Sequence, residues 1–218
     1  KKNSALYSLL VSTKKGELVS ALLPGPTHEA IGIDSGFILG EDGIEKVVLQ
    51  TKKREKIIAK DEEWGEIEAL AHFASNLYLL DKEKGSIYKY QSTQAGFGQR
   101  RNYLADDVQP DFGNAISMAI DGAIWVLFSD GAVTKFVQGV AQSVTITGMD
   151  SELSQPEVIF TDDESEHLYI LDKGNKRVVV AKKDGTYVSQ YQWEGIKDAT
   201  DMVVTEKEKK ILLLSGSK

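Results

Sequence analysis

The chain has 218 residues, 41% of them hydrophobic and 27% charged, with 26 lysines and arginines against 33 aspartates and glutamates. The formal charge of −7 argues against nucleic acid as the main partner, because phosphate binding needs a basic face. No cysteine is present, which excludes disulfides, thiolate catalysis and cysteine-ligated zinc, and no apolar run approaches the roughly 18 residues of a membrane span.

The apolar segments are short, alternate with period two and are separated by turns rich in Gly, Asp, Asn and Lys, so strands are expected throughout. A first pair is expected at Tyr7 to Ser12 and Glu17 to Leu22. An irregular group of four follows: Glu29 to Ile33, Phe37 to Gly40, Glu45 to Gln50 and Glu55 to Ala59. Glu66 to Ser75 comes nearest to a helical stripe, yet reads as a strand because Asn76 to Asp81 follows at hairpin distance. The next group is Leu70 to Phe73, Leu77 to Asp81, Ser86 to Tyr90 and Gln99 to Leu104. A third is Ser117 to Ile120, Ile124 to Phe128, Ala132 to Val137 and Ser143 to Thr147. The clearest group is Pro156 to Asp162, His167 to Asp172, Arg177 to Ala181 and Thr186 to Tyr191. A final pair is expected at Asp201 to Thr205 and Lys210 to Leu214. First strands thus recur about every 40 residues, the blade length of a β-propeller.

Within the clearest group, Pro156-Glu-Val-Ile-Phe-Thr-Asp162, Leu168-Tyr-Ile-Leu-Asp172, Asn175-Lys-Arg-Val-Val-Val180 and Asp184-Gly185 resemble the NHL-type propeller repeat. The likeness is partial near residues 77 and 124 and poor near residue 37, and Val158 stands where that family usually has glycine. The resemblance implies a fold; the motif is a folding motif and carries no activity.

Leu9 to Leu22 reads LLVSTKKGELVSAL and Val178 to Tyr191 reads VVVAKKDGTYVSQY, which align without a gap and place Gly16 on Gly185. The last group has only two strands, and the N-terminus supplies an orphan pair. The expectation is therefore an all-β chain, a β-propeller of about five four-stranded blades, closed two-plus-two by the N-terminal pair. Closure of this kind removes exposed sheet edges. Six blades or an open array are the alternatives. Lys1-Lys2-Asn3-Ser4 begins the chain without methionine, so residues 1–218 read as one propeller domain cut from a longer protein.

Ligands of propellers sit where the first strands begin, at the mouth of the central channel. Glu29, Glu157 and Asp201 each open a first strand and align without gaps; Glu68 and Asn114 join them in one register, Ala69 and Ser117 in another. Acids around one axis would suit a hard cation such as Ca²⁺, as in the lactonase-type propellers that this pattern resembles. The other reading of these acids is a solvated or capping role. His28, beside Glu29, is the one candidate base, whereas His72 and His167 match no zinc spacing and His72 reads as structural. Trp64 and Trp193 each precede a glycine and a first strand, where an exposed aromatic would suit a peptide or sugar. Trp125 reads as packing between blades.

The sequence thus supports a non-catalytic binding or scaffold module, a monomer that takes a protein, peptide or small ligand at the channel mouth and needs no cofactor. Its alternative is a metal-dependent hydrolase with a divalent cation among the acids. No compartment is indicated.

Overall fold

The computed structural model describes residues 35–215 apart from 41, 49, 50 and 52. The expected N-terminal pair, the strand at Glu29 to Ile33, His28, Glu29 and the two-plus-two closure lie outside the described residues.

The described chain is all-β, a succession of antiparallel sheets joined in chain order. The first sheet has β1 (Ser35–Gly40), β2 (Gly43–Val48) and β3 (Lys53–Ala59). The second has β4 (Ile67–Phe73), β5 (Asn76–Asp81) and β6 (Ser86–Tyr90). A small hairpin, β7 (Ser92–Thr93) and β8 (Gly96–Phe97), precedes its outermost strand β9 (Arg101–Asn102). The third sheet is β10 (Ala115–Ile120), β11 (Ile124–Phe128), β12 (Val133–Val137) and β13 (Val140–Val144). The fourth is β14 (Pro156–Phe160), β15 (His167–Asp172), β16 (Arg177–Lys182) and β17 (Tyr187–Gln192). A single 3₁₀ turn, Glu194–Asp198, leads to the pair β18 (Ala199–Thr205) and β19 (Lys210–Ser215).

The strands expected among the described residues are found nearly as expected, with two corrections, the first being that the outermost strand of the second sheet is only Arg101–Asn102 where Gln99 to Leu104 is expected. The fourth strand of the third sheet is Val140–Val144, earlier than the expected Ser143 to Thr147. Gln138 and Gly139 make a two-residue turn with φ of 50° and 83°, the paired positive values of the tight hairpin class. An added Cβ at Gly139 would lie 2.6 Å from Tyr103 O and from Ala105 N, so glycine lets this turn touch the second sheet.

Four clusters form the core, one between each successive pair of sheets. The second strands explain why. In β5, Leu77 and Leu79 pack toward the first sheet while Tyr78 and Leu80 pack toward the third. In β15, Leu168 and Ile170 face the third sheet while Tyr169 and Leu171 face β18 and β19. A strand buried on both faces reads as a continuous apolar run, as these do. Each fully buried leucine or isoleucine stabilises the fold by roughly 1.5–3 kcal/mol.

The first strands β4, β10, β14 and β18 are successive neighbours in space, so the sheets stack like blades around their inner edges. The strand β19 stands apart. Its sequence is as apolar as that of β5 or β15, yet none of its residues is fully buried and Leu212 is 41% exposed.

Candidate binding face

Each inner strand begins at the same end of its sheet, called here the leading end, next to the turn that follows the second strand. Two buried aspartates fasten that turn. Asp81 accepts from Gly65 N (2.7 Å) and Lys84 N (2.9 Å). Asp172 accepts from Ser154 N (2.8 Å), Asn175 Nδ2 (2.9 Å) and Arg177 Nε (2.7 Å). Both are the last residue of a second strand, and the next residue in each case is lysine.

Those lysines meet the inner-strand acids. Lys82 Nζ is 3.0 Å from Glu68 and 3.9 Å from Glu66. Lys173 Nζ is 3.5 Å from Glu157. Burial pushes the Glu68 carboxyl above its ordinary range; Lys82 holds it down in part, and the charges of Glu66 and Glu157 push it up further. Glu68 and Glu157 therefore share one field although a whole sheet lies between theirs in sequence.

Register explains which residues share a level. Every described inner strand carries a β-bulge just after its first residue, skipping Glu68, Ile116, Glu157 and Thr200 in turn. The next residues, Ala69, Ser117, Val158 and Asp201, rejoin the ladder. The gapless alignment of Glu157 with Asp201 is thus corrected: Glu157 stands level with Glu68 and Thr200, and Asp201 one position further in. Asp201 is buried and its Oδ1 accepts from Met202 N at 2.7 Å. Asn114 precedes the first ladder residue; it is exposed, and its carbonyl accepts from Ser129 N at 2.9 Å. The structure sets Glu68 and Glu157 at one level of their sheets and leaves Asn114 and Asp201 on other levels. Among the described residues, no three His, Asp or Glu side chains gather as a metal site.

The two tryptophans differ. Trp64 is buried, which corrects its expected exposure: its Nε1 donates to Tyr90 Oη at 2.9 Å and its ring meets the Tyr90 ring edge-on at 6.2 Å. Trp193 is 64% exposed. Its backbone N–H donates to Lys176 O at 3.2 Å, which places it beside the leading-end turn of the fourth sheet. With Tyr191, Val178, Ile211 and Leu213 it lines a cleft of about 500 Å³ between that sheet and β19.

At the opposite end Glu206 gathers four donors. Oε2 accepts from Glu166 N at 3.0 Å; Oε1 meets His167 N and Nδ1 at 3.1 Å and accepts from Tyr169 Oη at 3.0 Å. Partial burial pushes this carboxyl up, but the hydrogen bonds from Glu166, His167 and Tyr169 outweigh it and hold it below its ordinary range. His72 stacks on Phe37 with centroids 5.3 Å apart, and burial pushes its pKa down. Trp125 is fully buried and its Nε1 donates to Asp121 at 2.9 Å.

Sequence reasoning missed Lys82, Lys173 and the aspartates before them. The signal was present: Leu79-Leu80-Asp81-Lys82 and Ile170-Leu171-Asp172-Lys173 are the same motif at the same place in two blades.

No protein-family profile and no curated protein sequence matches the chain. Solved structures do match in fold. A virginiamycin B lyase from Staphylococcus aureus is 12% identical, with a TM-score of 0.55 over 98% of this chain and 74% of that one. A structure described as a nidogen/laminin complex is 13% identical, with a TM-score of 0.50 over 74% of this chain and 60% of that one. A calcium-binding protein, regucalcin, from Agrobacterium tumefaciens is 14% identical, with a TM-score of 0.51 over 79% of this chain and 60% of that one. The fold is that of a β-propeller, in agreement with the NHL-like resemblance at the level of the fold. Propellers similar to this chain include enzymes and binding proteins alike, and identity this low speaks to fold alone.

Proposed function

We propose that the chain is a non-catalytic binding or scaffold module, a propeller of five blades whose fifth is completed by the N-terminal strand pair. Its leading end takes a protein segment, a peptide or a small ligand. The pairing of Glu68 with Lys82 and of Glu157 with Lys173 carries this reading. A carboxylate already bonded to a lysine is a poor ligand for a hard cation. Two such pairs around one opening offer both signs of charge to a peptide. The likeness to a propeller in a nidogen/laminin complex is in keeping with a partner-binding role.

A mixed-charge peptide array probed with the domain tests this. Retention of a subset of peptides is expected, weakened at least tenfold by Lys82→Glu combined with Lys173→Glu. Equal retention by that variant would remove the leading end as the binding face.

One feature favours a second reading, a hydrolase with a divalent cation at the same end. The Glu68 carboxyl is pushed up by burial, Glu66 and Glu157, and a cation would relieve that crowding. The described acids do not by themselves make up a cation site, so this reading needs Glu29 or His28 as well. A rise in melting temperature with added Ca²⁺, reversed by chelation, would favour it over the first.

A further inference from the structure

The outer strand of a blade is an edge, and its unpaired N–H and C=O groups template another strand unless something blunts them. In the first, second and fourth sheets the outer strand carries such a device. β3 exposes Lys53, Arg54, Glu55 and Lys56, and a bulge bends it against β2. β9 is only Arg101–Asn102. β17 is bent by a bulge against β16, and its Gln190 is held by Arg177. The outer strand of the third sheet, β13, has none of these. Val140-Ala-Gln-Ser-Val144 carries no charge, no proline and no bulge; all but Val144 are exposed, Val140 at 51%. The hairpin fixes which of its groups point outward. The two-residue turn Gln138-Gly139 makes Val137 and Val140 a hydrogen-bonded pair, and the pattern alternates from there. Gln142 and Val144 turn their backbone groups inward to Lys135 and Val133 of β12. Ala141 and Ser143 turn theirs to the open side, where no backbone partner is found among the described residues.

We infer that this edge pairs antiparallel with β13 of a second copy of the chain, about a two-fold axis through Gln142, where the sequence reads as a monomer. The strand reads almost alike in both directions, with valine at each end, a small residue inside each valine and glutamine at the centre. The axis sets Ala141 opposite Ser143 of the second copy, so the outward N–H and C=O groups of each bond the other, twice over by symmetry. It also sets Val140 opposite Val144, which gives the most exposed residue of the strand an apolar neighbour. Charge favours this edge. The net −7 of the chain opposes the approach of two copies, and β13 brings no charged side chain to the seam. Because the paired strands run in opposite directions, the leading ends of the two propellers lie on opposite sides of the dimer.

Sedimentation equilibrium of the full chain is expected to show a reversible monomer–dimer equilibrium. Gln142→Lys sets like charges at the axis, and Ser143→Pro removes an outward N–H without touching a bond to β12. Each is expected to weaken dimerisation roughly tenfold while the chain stays folded by circular dichroism. The chain has no cysteine, so an introduced one reports cleanly. Residues opposed at a pair without hydrogen bonds stand about 4.5 Å apart at Cα, within disulfide reach. Gln142→Cys is therefore expected to give a disulfide-linked dimer on mild oxidation, and Val188→Cys, exposed on β17, is expected not to. A monomeric parent, or a dimer that neither Gln142→Lys nor Ser143→Pro weakens, would overturn the inference. A dimer weakened by both but not linked through Gln142→Cys would overturn the register. Equal linkage of Gln142→Cys and Val188→Cys would mark chance collision and overturn it too. A monomeric parent that binds a labelled peptide of residues 138–146, with binding lost in Ser143→Pro, would assign the edge to a foreign strand and overturn the second copy.

Discussion

Asp172 Oδ2 and Arg177 Nε stand 2.7 Å apart with side chains 0% and 2% exposed, at the two ends of one turn. The guanidinium also donates to Gln190 Oε1 at 2.9 Å and to the carbonyls of Ser151 and Glu152 at 2.8 and 3.0 Å. One ion pair thus joins the second, third and fourth strands to the connection that enters the blade. Removing one partner of a buried pair leaves an uncompensated charge, at a cost of roughly 3–5 kcal/mol. Asp172→Ala is expected to lower stability by about that much in urea unfolding. Asp172→Leu combined with Arg177→Met is expected to cost less than the single change. A double variant worse than the sum of its parts would contradict this account.

Glu206 makes stability depend on acid. Its folded-state pKa lies below its ordinary value, so its contribution is present above about pH 4.5 and is lost as pH falls through the lower folded value. Glu206→Gln turns an amide donor toward groups that are donors themselves, and is expected to cost about 2 kcal/mol at pH 7. The gap from the parent should narrow as pH is taken well below 4.5. A gap that does not change with pH would mean that packing, not charge, sets the loss.

The sign is opposite at Glu68. Its folded pKa is raised, so its ionised form weighs against the fold above that raised value and not below the ordinary one. Glu68→Gln is expected to raise the melting temperature at pH 7 and to lose that advantage below about pH 4.5. Lys82→Met, which removes the partner 3.0 Å away, is expected to lower it at pH 7. A fall in melting temperature for Glu68→Gln at pH 7 would show the lysine contact outweighing burial.

Gly139 offers a backbone test. Alanine there would hold a φ near +83° and press its Cβ on the backbone of Tyr103 and Ala105. A loss of about 1–3 kcal/mol is expected from thermal or urea unfolding. A neutral Gly139→Ala would mean that the hairpin can shift away from the second sheet.

These tests also mark where sequence reading succeeds and where it stops. Strands such as Leu77 to Asp81 and His167 to Asp172 announce themselves because burial on both faces demands an unbroken apolar run. The site was harder because level, not identity, decides which acids meet. A bulge skips Glu157 and leaves Asp201 on the ladder, and nothing in the letters distinguishes the two. Trp64 and Trp193 have similar neighbours in the chain, and only the third-strand residue Tyr90 makes one of them core. The repeated Leu79-Leu80-Asp81-Lys82 and Ile170-Leu171-Asp172-Lys173 were readable, but the strand motif alone gave no reason to single out the lysine.

The recurring bulge has an implication for how such a surface changes over time. Glu68, Ile116, Glu157 and Thr200 occupy a place with no opposite residue in the ladder, while the residues on either side keep the ladder in step. Substitution there alters what this end of the sheets presents without shifting the ladder, although Ile116 packs on the core between the third and fourth sheets. A library randomised at Glu68, Glu157 and Thr200, with Ile116 kept apolar, should yield folded proteins with new ligand preferences.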